Sequence, residues 1–279
     1  MKIILPQYNQ AGVLLVAYKN FIKGVVLFLF FVLFKSVILF ADTSPNLIPV
    51  TVLNVIDGDT ITVSLPNGKV ERVRYLLIDT PELHHPFHGK EEFSERACRL
   101  NGQLLELGDI LLEFDVEKRD RYGRLLAYVW CRSSKEMFLI NEELVRRGAA
   151  MPLIIPPNKK YTHCIQRALA HARREKAGLW GQASNRLFTS KEIWTFLPFL
   201  KGNFILASVT VDSVQSTPSK ILLKDGAFFL VIYKSDIYKF RHLHLDKGAN
   251  LTVMGKVEAS YSGSEMIISD PLQIIKFNF

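Results

Sequence analysis

The chain has 279 residues, with 35 Lys and Arg against 27 Asp and Glu, which gives a formal net charge of +8. Hydrophobic residues make up 48% and charged residues 22%, which excludes a disordered or low-complexity protein. Three cysteines are too few for a disulfide scaffold, and they match no zinc-finger spacing. At about 100–200 residues per domain, the length indicates one large domain or two small ones. The chain has no polybasic tail, so we expect any anionic partner to bind at a local site.

The N-terminal segment 1–44 contains the uncharged apolar run GVVLFLFFVLF at 24–34, which follows Lys19 and Lys23. A basic flank, a short apolar run and small residues beyond it predict a secretory signal peptide, with Ala41 before the cleavage site. Residues 24–41 also approach the roughly 20 residues that span a bilayer, so an N-terminal membrane anchor stays open, as does a buried core helix. Both leading alternatives predict an exported protein, either secreted or anchored at the outer face of the cell membrane.

Residues 45–181 are predicted to form the first domain, in which strands precede most of the helices. β-Branched and alternating runs predict strands at 51–56, 60–65, 69–78, 110–116 and 125–131. Helical spacing of apolar residues predicts helices at 91–107, 137–147 and 162–176. This order favours an α+β or mainly β fold, namely a small five-stranded Greek-key barrel that carries three helices.

Residues 182–201 read as a linker with a short helix, after which strand patterns resume. These strands are predicted at 203–211, 220–223, 227–233, 250–257, 265–268 and 273–276. A short helix is predicted at 234–240. About 80 residues of mostly strand predict a second small barrel over 202–279.

Four charged motifs stand out in the first domain. They are Asp57-Gly58-Asp59-Thr60, Arg74 with Asp79-Thr80-Pro81-Glu82, Asp120-Arg121-Tyr122-Gly123-Arg124, and NEELVRRG at 141–148. Each one alone is compatible with an ordinary turn, a helix cap or a solvated charged surface. Considered together, they contain the parts that a phosphodiester hydrolase needs.

Carboxylate oxygens of Asp59 and Asp79 suit a hard cation such as Ca²⁺ or Mg²⁺. The guanidinium groups of Arg74 and Arg124 offer planar forks for phosphate. Glu82 follows Asp79 closely and can position or deprotonate a water molecule. The combination predicts a metal-assisted attack of water on a phosphodiester.

Residues 51–180 resemble the thermonuclease (staphylococcal nuclease-like) family. The resemblance rests on VIDGDT at 55–60, RYLLIDTPE at 74–82, DRYGRLLAYVW at 120–130, NEELVRRGAA at 141–150 and AGLW at 177–180. It implies an oligonucleotide/oligosaccharide-binding (OB) barrel of five strands with three helices. It also implies Ca²⁺-dependent endonucleolytic cleavage of DNA and RNA that leaves 3′-phosphate and 5′-hydroxyl ends.

The resemblance also implies a role for each residue that matches the family's motifs. Asp59 and Asp79 become side-chain ligands of Ca²⁺, Thr80 contributes its backbone carbonyl, and Asp57 lies nearby, with water in between. Glu82 becomes the general base, and Arg74 and Arg124 bind phosphate and stabilise the transition state. The expected function is an exported nuclease that acts on DNA, RNA or both, with no protein partner. The alternatives are a non-catalytic nucleic-acid-binding protein of two OB-type barrels, and a membrane-tethered scaffold.

Two features depart from the family or add to it. The segment at 152–157, where the family carries nucleotide-stacking tyrosines, has no aromatic residue, and the loop HHPFH at 84–88 is either a zinc site or an exposed loop. Residues 253–275 resemble a small nucleic-acid-binding barrel module. Its aromatic residues either stack on bases or belong to the core; they are Phe228, Phe229, Tyr233 and Tyr261.

Overall fold

The computed structural model describes residues 46–84, 89–261 and 263–278, together with the helical residues Lys23 and Val25. The predicted signal or anchor at 1–44 and most of the HHPFH loop therefore lie outside the described residues. Residues Asn46–Phe279 form one compact unit. No helix within the described part of the chain is both long enough and apolar enough to cross a membrane.

Five strands of the first domain close into a barrel. They are β1 (Ile48–Val55), β2 (Thr60–Ser64), β3 (Val70–Tyr75), β5 (Asp109–Glu113) and β6 (Leu125–Arg132), with the two-residue strand β4 (Ile78–Asp79) between β3 and β5. The order β3-β2-β1-β5-β6 is antiparallel throughout, and a parallel pairing of β3 with β6 closes it. This is the OB arrangement, which confirms the predicted fold class.

Helices and short strands surround this barrel. They are α1 (Ser94–Leu105), β7 (Met137–Leu139), α2 (Ile140–Arg146), β8 (Met151–Pro152), α3 (Thr162–Arg174) and α4 (Leu179–Ala183). Each of the three longer helices buries one apolar face, for example Ala97 and Leu104 on α1 and Ile165 and Leu169 on α3. All three cysteines are free.

Several predicted elements of the first domain differ from the structure by a few residues at their ends, and for two of them the difference has a clear structural cause. The helix predicted over 137–147 begins at Ile140, because residues Met137–Leu139 pair with β6 as a strand. The strand predicted over 69–78 breaks after Tyr75, where Leu77 adopts a left-handed backbone with φ 66°. Such a backbone costs free energy for a non-glycine residue. The break turns the chain so that β4 pairs with β8 instead of continuing the barrel.

The C-terminal part contains a second closed arrangement of strands. Its elements are β9 (Leu187–Thr189), α5 (Ser190–Thr195), α6 (Leu197–Leu200), β10 (Phe204–Thr210), β11 (Ser213–Ser216), β12 (Lys220–Asp225), β13 (Phe228–Tyr233), β14 (Asn250–Lys256), β15 (Glu258–Ser260), β16 (Gly263–Ile267) and β17 (Ile274–Asn278), with 3₁₀ turns at Ile237–Phe240 and Pro271–Gln273. Two nearly continuous strands, β10 with β11 and β14 with β15, connect its two sheets. As in the first barrel, one parallel pair, β13 with β16, closes the order.

The stretch at 182–201 is more ordered than the predicted linker. Strand β9 pairs in parallel with β10 and thereby joins the second barrel, while α5 begins with a capping box between Thr189 and Glu192. The predicted helix at 234–240 is a single 3₁₀ turn. Of the candidate stacking residues, Phe228 belongs to the core, Phe229 is half-buried, and Tyr233 and Tyr261 are exposed.

The two barrels share an interface. Phe204 and Met254, from the second barrel, pack in the hydrophobic core of the first. Polar contacts accompany them: Ser269 Oγ donates to the carbonyl of Pro152 at 2.8 Å, and Arg186 forms an ion pair with Glu92. The second barrel therefore lies against β8, which pairs with the strand that carries Asp79.

Candidate active site

The turn between β1 and β2 orients two of the predicted site residues. The backbone N–H of Asp59 donates to Asp57 Oδ1 at 3.0 Å, which fixes the turn. Position 58 has room only for glycine, because a Cβ atom there would approach Thr80 and Ala97 within 2.7–2.8 Å. This close approach lets the turn pack on Thr80. The Thr80 backbone N–H then donates to Asp59 Oδ2 at 2.9 Å.

Arg74, at the end of β3, holds two of the acids together. Its Nη1 lies 2.8 Å from Asp59 Oδ2, and its Nη2 lies 2.7 Å from Asp79 Oδ1. The same Nη1 donates to the carbonyls of Tyr75 and Ile78 at 3.1 and 2.8 Å. The break at Leu77 makes this geometry possible, because it returns the chain toward Arg74 within five residues.

Glu82 lies in the loop after β4 and is fixed at its backbone. Its N–H donates to Glu91 Oε2 at 2.9 Å, and its carbonyl accepts the N–H of Glu91 at the same distance. The charges of Asp59 and Asp79 act on the Glu82 carboxylate, so the three acids belong to one electrostatic cluster. The structure therefore brings together Asp57, Asp59, Arg74, Asp79, Thr80 and Glu82, as the sequence predicted.

The site contains more negative charge than its arginine can neutralise. Burial raises the pKa of Asp59 to about 6, against the opposing charge of Arg74. Burial also raises the pKa of Asp57, Asp79 and Glu82, and the charges of Asp59 and Asp79 raise that of Glu82 further. Burial alone would lower the pKa of Arg74, but the Asp59 and Asp79 carboxylates outweigh it and raise that pKa.

This charge excess and the donor chemistry fit a hard divalent cation. The charges of four carboxylates, from Asp57, Asp59, Asp79 and Glu82, act on the guanidinium of Arg74, and carboxylate oxygens are the ligands that Ca²⁺ and Mg²⁺ prefer. Within residues 46–84, 89–261 and 263–278, no three acidic, His or Cys side chains already converge as a metal site. Asp59 and Asp79 instead face Arg74, which serves as their counter-ion.

Arg124 shares a cavity of about 500 Å³ with Arg74. Asp120, four residues earlier, fixes this guanidinium by accepting from Nε at 2.7 Å. The ring of Tyr122, 69% exposed, lies beneath Arg121 and Arg124 at 4.8 and 5.6 Å from their guanidinium carbons. Leu153 and Ile155, from the segment that lacks tyrosines, also line this cavity.

The fourth motif, NEELVRRG, has a structural role in the described contacts. Asn141 is fully buried and bridges two elements: its Oδ1 accepts from Val129 N–H at 2.9 Å, and its Nδ2 donates to the Leu76 carbonyl at 2.8 Å. Arg146 and Arg147 form exposed ion pairs with Glu143. In the HHPFH loop, His84 is exposed, and the other histidines lie outside the described residues.

The sequence patterns predict no role at the site for three residues that lie near it. The sequence pattern predicts only a turn at Tyr122, although an exposed aromatic residue between two arginines is a signal for base stacking. Glu91 and Lys256 form an ion pair across 165 positions of sequence, with Nζ 3.1 Å from Oε1. No local pattern in one sequence links two such distant residues.

Comparison with known proteins relates this chain to one family. The family model described as staphylococcal nuclease homologue matches residues 72–182. That range includes Arg74, Asp79, Thr80, Glu82 and Arg124. The chain is 39% identical to endonuclease YncB of Bacillus subtilis over 148 residues, which is 51% of this chain and 68% of that protein. It is also 39% identical to the thermonuclease of Staphylococcus hyicus over 129 residues, or 46% of this chain and 73% of the relative.

A third relative is longer than the matched region. The chain is 39% identical over 139 residues to the SPbeta prophage-derived endonuclease YokF of Bacillus subtilis, and it spans 45% of that protein. The matched relatives align with about half of this chain. The barrel, the cluster of acids around Arg74 and these identities lead to one conclusion: the chain belongs to the staphylococcal nuclease homologue family of hydrolytic nucleases.

Proposed function

We propose that this protein is an exported, Ca²⁺-dependent endonuclease that hydrolyses phosphodiester bonds of DNA, RNA or both. The observation that carries the proposal is the cluster in which Arg74 holds the buried Asp59 and the half-buried Asp79, with Glu82 in the same electrostatic field. A binding-only barrel has no need for several carboxylates at one point, since they repel phosphate and raise one another's pKa.

In this proposal each residue of the cluster has one task. Asp59, Asp79 and the Thr80 carbonyl would hold the cation, with Asp57 nearby, and the bound cation would neutralise charge on the phosphate. Glu82 takes a proton from the attacking water. Arg124 and Arg74 bind the phosphate oxygens, where negative charge grows in the transition state. The water oxygen bonds to phosphorus as Glu82 takes its proton, and the bond to the 5′ oxygen breaks. That oxygen takes a proton from solvent and leaves as a 5′-hydroxyl, while the other product carries the 3′-phosphate.

The first test is cleavage of single-stranded DNA, double-stranded DNA and RNA by the full chain, with Ca²⁺ and with excess chelator. We expect cleavage with Ca²⁺ and a loss of about 10³-fold or more with chelator, because four carboxylates then face the phosphate with Arg74 as counter-ion. Mass spectrometry of the products identifies whether the ends are 3′-phosphate and 5′-hydroxyl. Salt-dependent binding without cleavage under any divalent cation would favour the non-catalytic alternative instead.

We further propose that the second barrel holds single-stranded substrate along β12 and β13. Two lysines of β12 lie opposite two aromatic residues of β13: Lys224 opposite Phe229, and Lys220 opposite Tyr233. Cross-strand partners share a face of the sheet, so each of the two rings lies beside a lysine there, with Leu222 and Val231 between the two pairs. Nucleic acid that binds without base recognition uses this combination of basic groove and stacking rings.

Replacing Tyr233 with alanine tests this surface. Because stacking contributes about 1–3 kcal/mol per base, we expect KM to rise about fivefold or more for a single strand of about 20 nucleotides, with kcat unchanged. The control is Tyr238→Ala, since Tyr238 is equally a surface tyrosine, 59% exposed, but lies off the two strands. Equal changes in both variants would contradict the proposed surface.

Export is the last part of the proposal and is based on the sequence of residues 1–44, with its basic flank and apolar run. We expect the protein outside the cytoplasm when the full gene is expressed. Mass spectrometry of the mature N-terminus distinguishes a cleaved signal from a retained anchor. Recovery of the intact chain from the cytoplasm alone would contradict export.

A further inference from the structure

We propose that Lys256, on the second barrel, is a positioning residue of the active site and holds the loop of Glu82 in place through Glu91. This inference rests on the proposed function, because it assigns Glu82 to the reaction. It makes the second barrel part of the catalytic machinery as well as a neighbour of it.

The contacts form a continuous chain between the two barrels. Lys256 Nζ lies 3.1 and 3.2 Å from the two carboxylate oxygens of Glu91. Glu91 Oε2 accepts the backbone N–H of Glu82 at 2.9 Å. The backbone N–H of Glu91 returns a bond to the Glu82 carbonyl at 2.9 Å. Two hydrogen bonds therefore join Glu91 to the backbone of Glu82, and Lys256 contacts the Glu91 carboxylate that accepts one of them.

The ion pair of Lys256 with Glu91 matters for the position of Glu82 because the pair is largely buried. The Glu91 side chain is completely buried, and that of Lys256 is 21% exposed. Lys256 also lies 3.0 Å from Glu258 Oε1, on the next strand. A buried carboxylate without a counter-ion is costly, because it loses hydration and gains nothing in exchange. Without the lysine, the Glu91 carboxylate would have to turn toward water, and that movement weakens its bond to the Glu82 amide.

Lys256 also lies near Asp79, one of the proposed metal ligands. It lines a cavity of about 150 Å³ together with Asp79, Glu258 and residues of β8. The ammonium group is thus next to one acid of the cluster and bonded to the residue that fixes another. A small displacement of Glu82 matters for rate, since misplacing a reactive group by about 1 Å can cost about 10²-fold.

The test compares Lys256→Met with Lys256→Arg in the full chain. Methionine removes the charge at similar length, and we expect kcat on DNA to fall about 10- to 100-fold with KM changed less than about twofold. Arginine keeps the charge and should restore most of kcat. Adding Glu91→Gln to Lys256→Met removes the uncompensated carboxylate while keeping an acceptor for Glu82 N–H, so we expect this double variant to recover part of the loss.

Lys239→Met is the matched structural control. Lys239 is also buried in the second barrel, where it forms an ion pair with Asp236 and donates to the Ser269 carbonyl at 2.9 Å. We expect this variant to lose stability to urea while kcat stays near that of the wild type. Equal losses of kcat in Lys256→Met and Lys239→Met would overturn the proposal, because both would then reflect general damage.

Amide hydrogen exchange at Glu82 supplies a readout that needs no activity. We expect exchange there to accelerate in Lys256→Met and to stay slow in Lys239→Met and Lys256→Arg. Unchanged protection in Lys256→Met would overturn the inference even if kcat fell. A wild-type chain that cleaves nothing would refute the proposed function alone, since the exchange experiment would still report on the connection between Lys256 and Glu82.

Discussion

Replacing Arg124 with alanine is expected to reduce kcat for DNA cleavage by about 10²–10³-fold, the usual effect of removing one donor to a transition-state oxyanion. Of the two arginines, Arg124 is the one whose replacement is easier to interpret. Its side chain is 30% exposed, and the contact that fixes it is with Asp120, outside the acid cluster. Arg74, by contrast, also holds Asp59 and Asp79, so its removal would disturb the folding of the site as well as the reaction.

Arg174→Ala is the control for a lost positive charge. Arg174 ends α3, is 70% exposed and pairs only with its neighbours Glu175 and His171 in the described contacts. We expect its kcat to stay within about twofold of the wild type, as surface charges act weakly at a distance. If Arg124→Ala kept a kcat as high as this control, Arg124 would have no role in stabilising the transition state.

Replacing Glu82 with glutamine is expected to lower kcat by about 10²–10⁴-fold, the range for loss of a general base. Glutamine keeps the shape of the side chain and leaves the backbone bonds to Glu91 intact, so the folded state should persist. Steady-state cleavage of DNA at saturating Ca²⁺ measures the effect. Glu117→Gln removes an acid that lines the Arg124 cavity and should change kcat by less than about threefold.

The pH profile gives a second signature of Glu82. Burial, with the charges of Asp59 and Asp79, raises its pKa above the ordinary value of 4.5. A base acts only when deprotonated, so kcat of the wild type should fall as the pH drops through this raised pKa. In Glu82→Gln that acidic limb should flatten. An unchanged limb in the variant would assign the titration to another group.

Much of the fold and of the cluster was accessible from the sequence because it depends on local patterns. Alternating β-branched residues predict the strands of the first barrel. The sequence Asp57-Gly58-Asp59 predicts a turn between two of them, and in the structure Gly58 has no room for a Cβ atom. Arg74 and Asp79 are only five positions apart. A short hairpin or a kink is enough to bring such residues together.

The parts that sequence reasoning missed depend on contacts between distant residues. The break at Leu77 has no glycine or proline to announce it, and tertiary pairing of β4 with β8 holds it. Met137–Leu139 read as helix because the apolar spacing fits both structures, and pairing with β6 decides for strand. The ion pair of Lys256 with Glu91 joins the two barrels, so no local pattern in the sequence predicts it.

The placement of Phe204 and Met254 has a consequence for how the protein unfolds. Both side chains come from the second barrel, yet they complete the core of the first. Loss of the second barrel would expose apolar surface on the first, and burial of such surface contributes about 25 cal/mol per Å². The two barrels should therefore melt in one cooperative transition, and a protease that cuts between them should gain little access while the chain is folded.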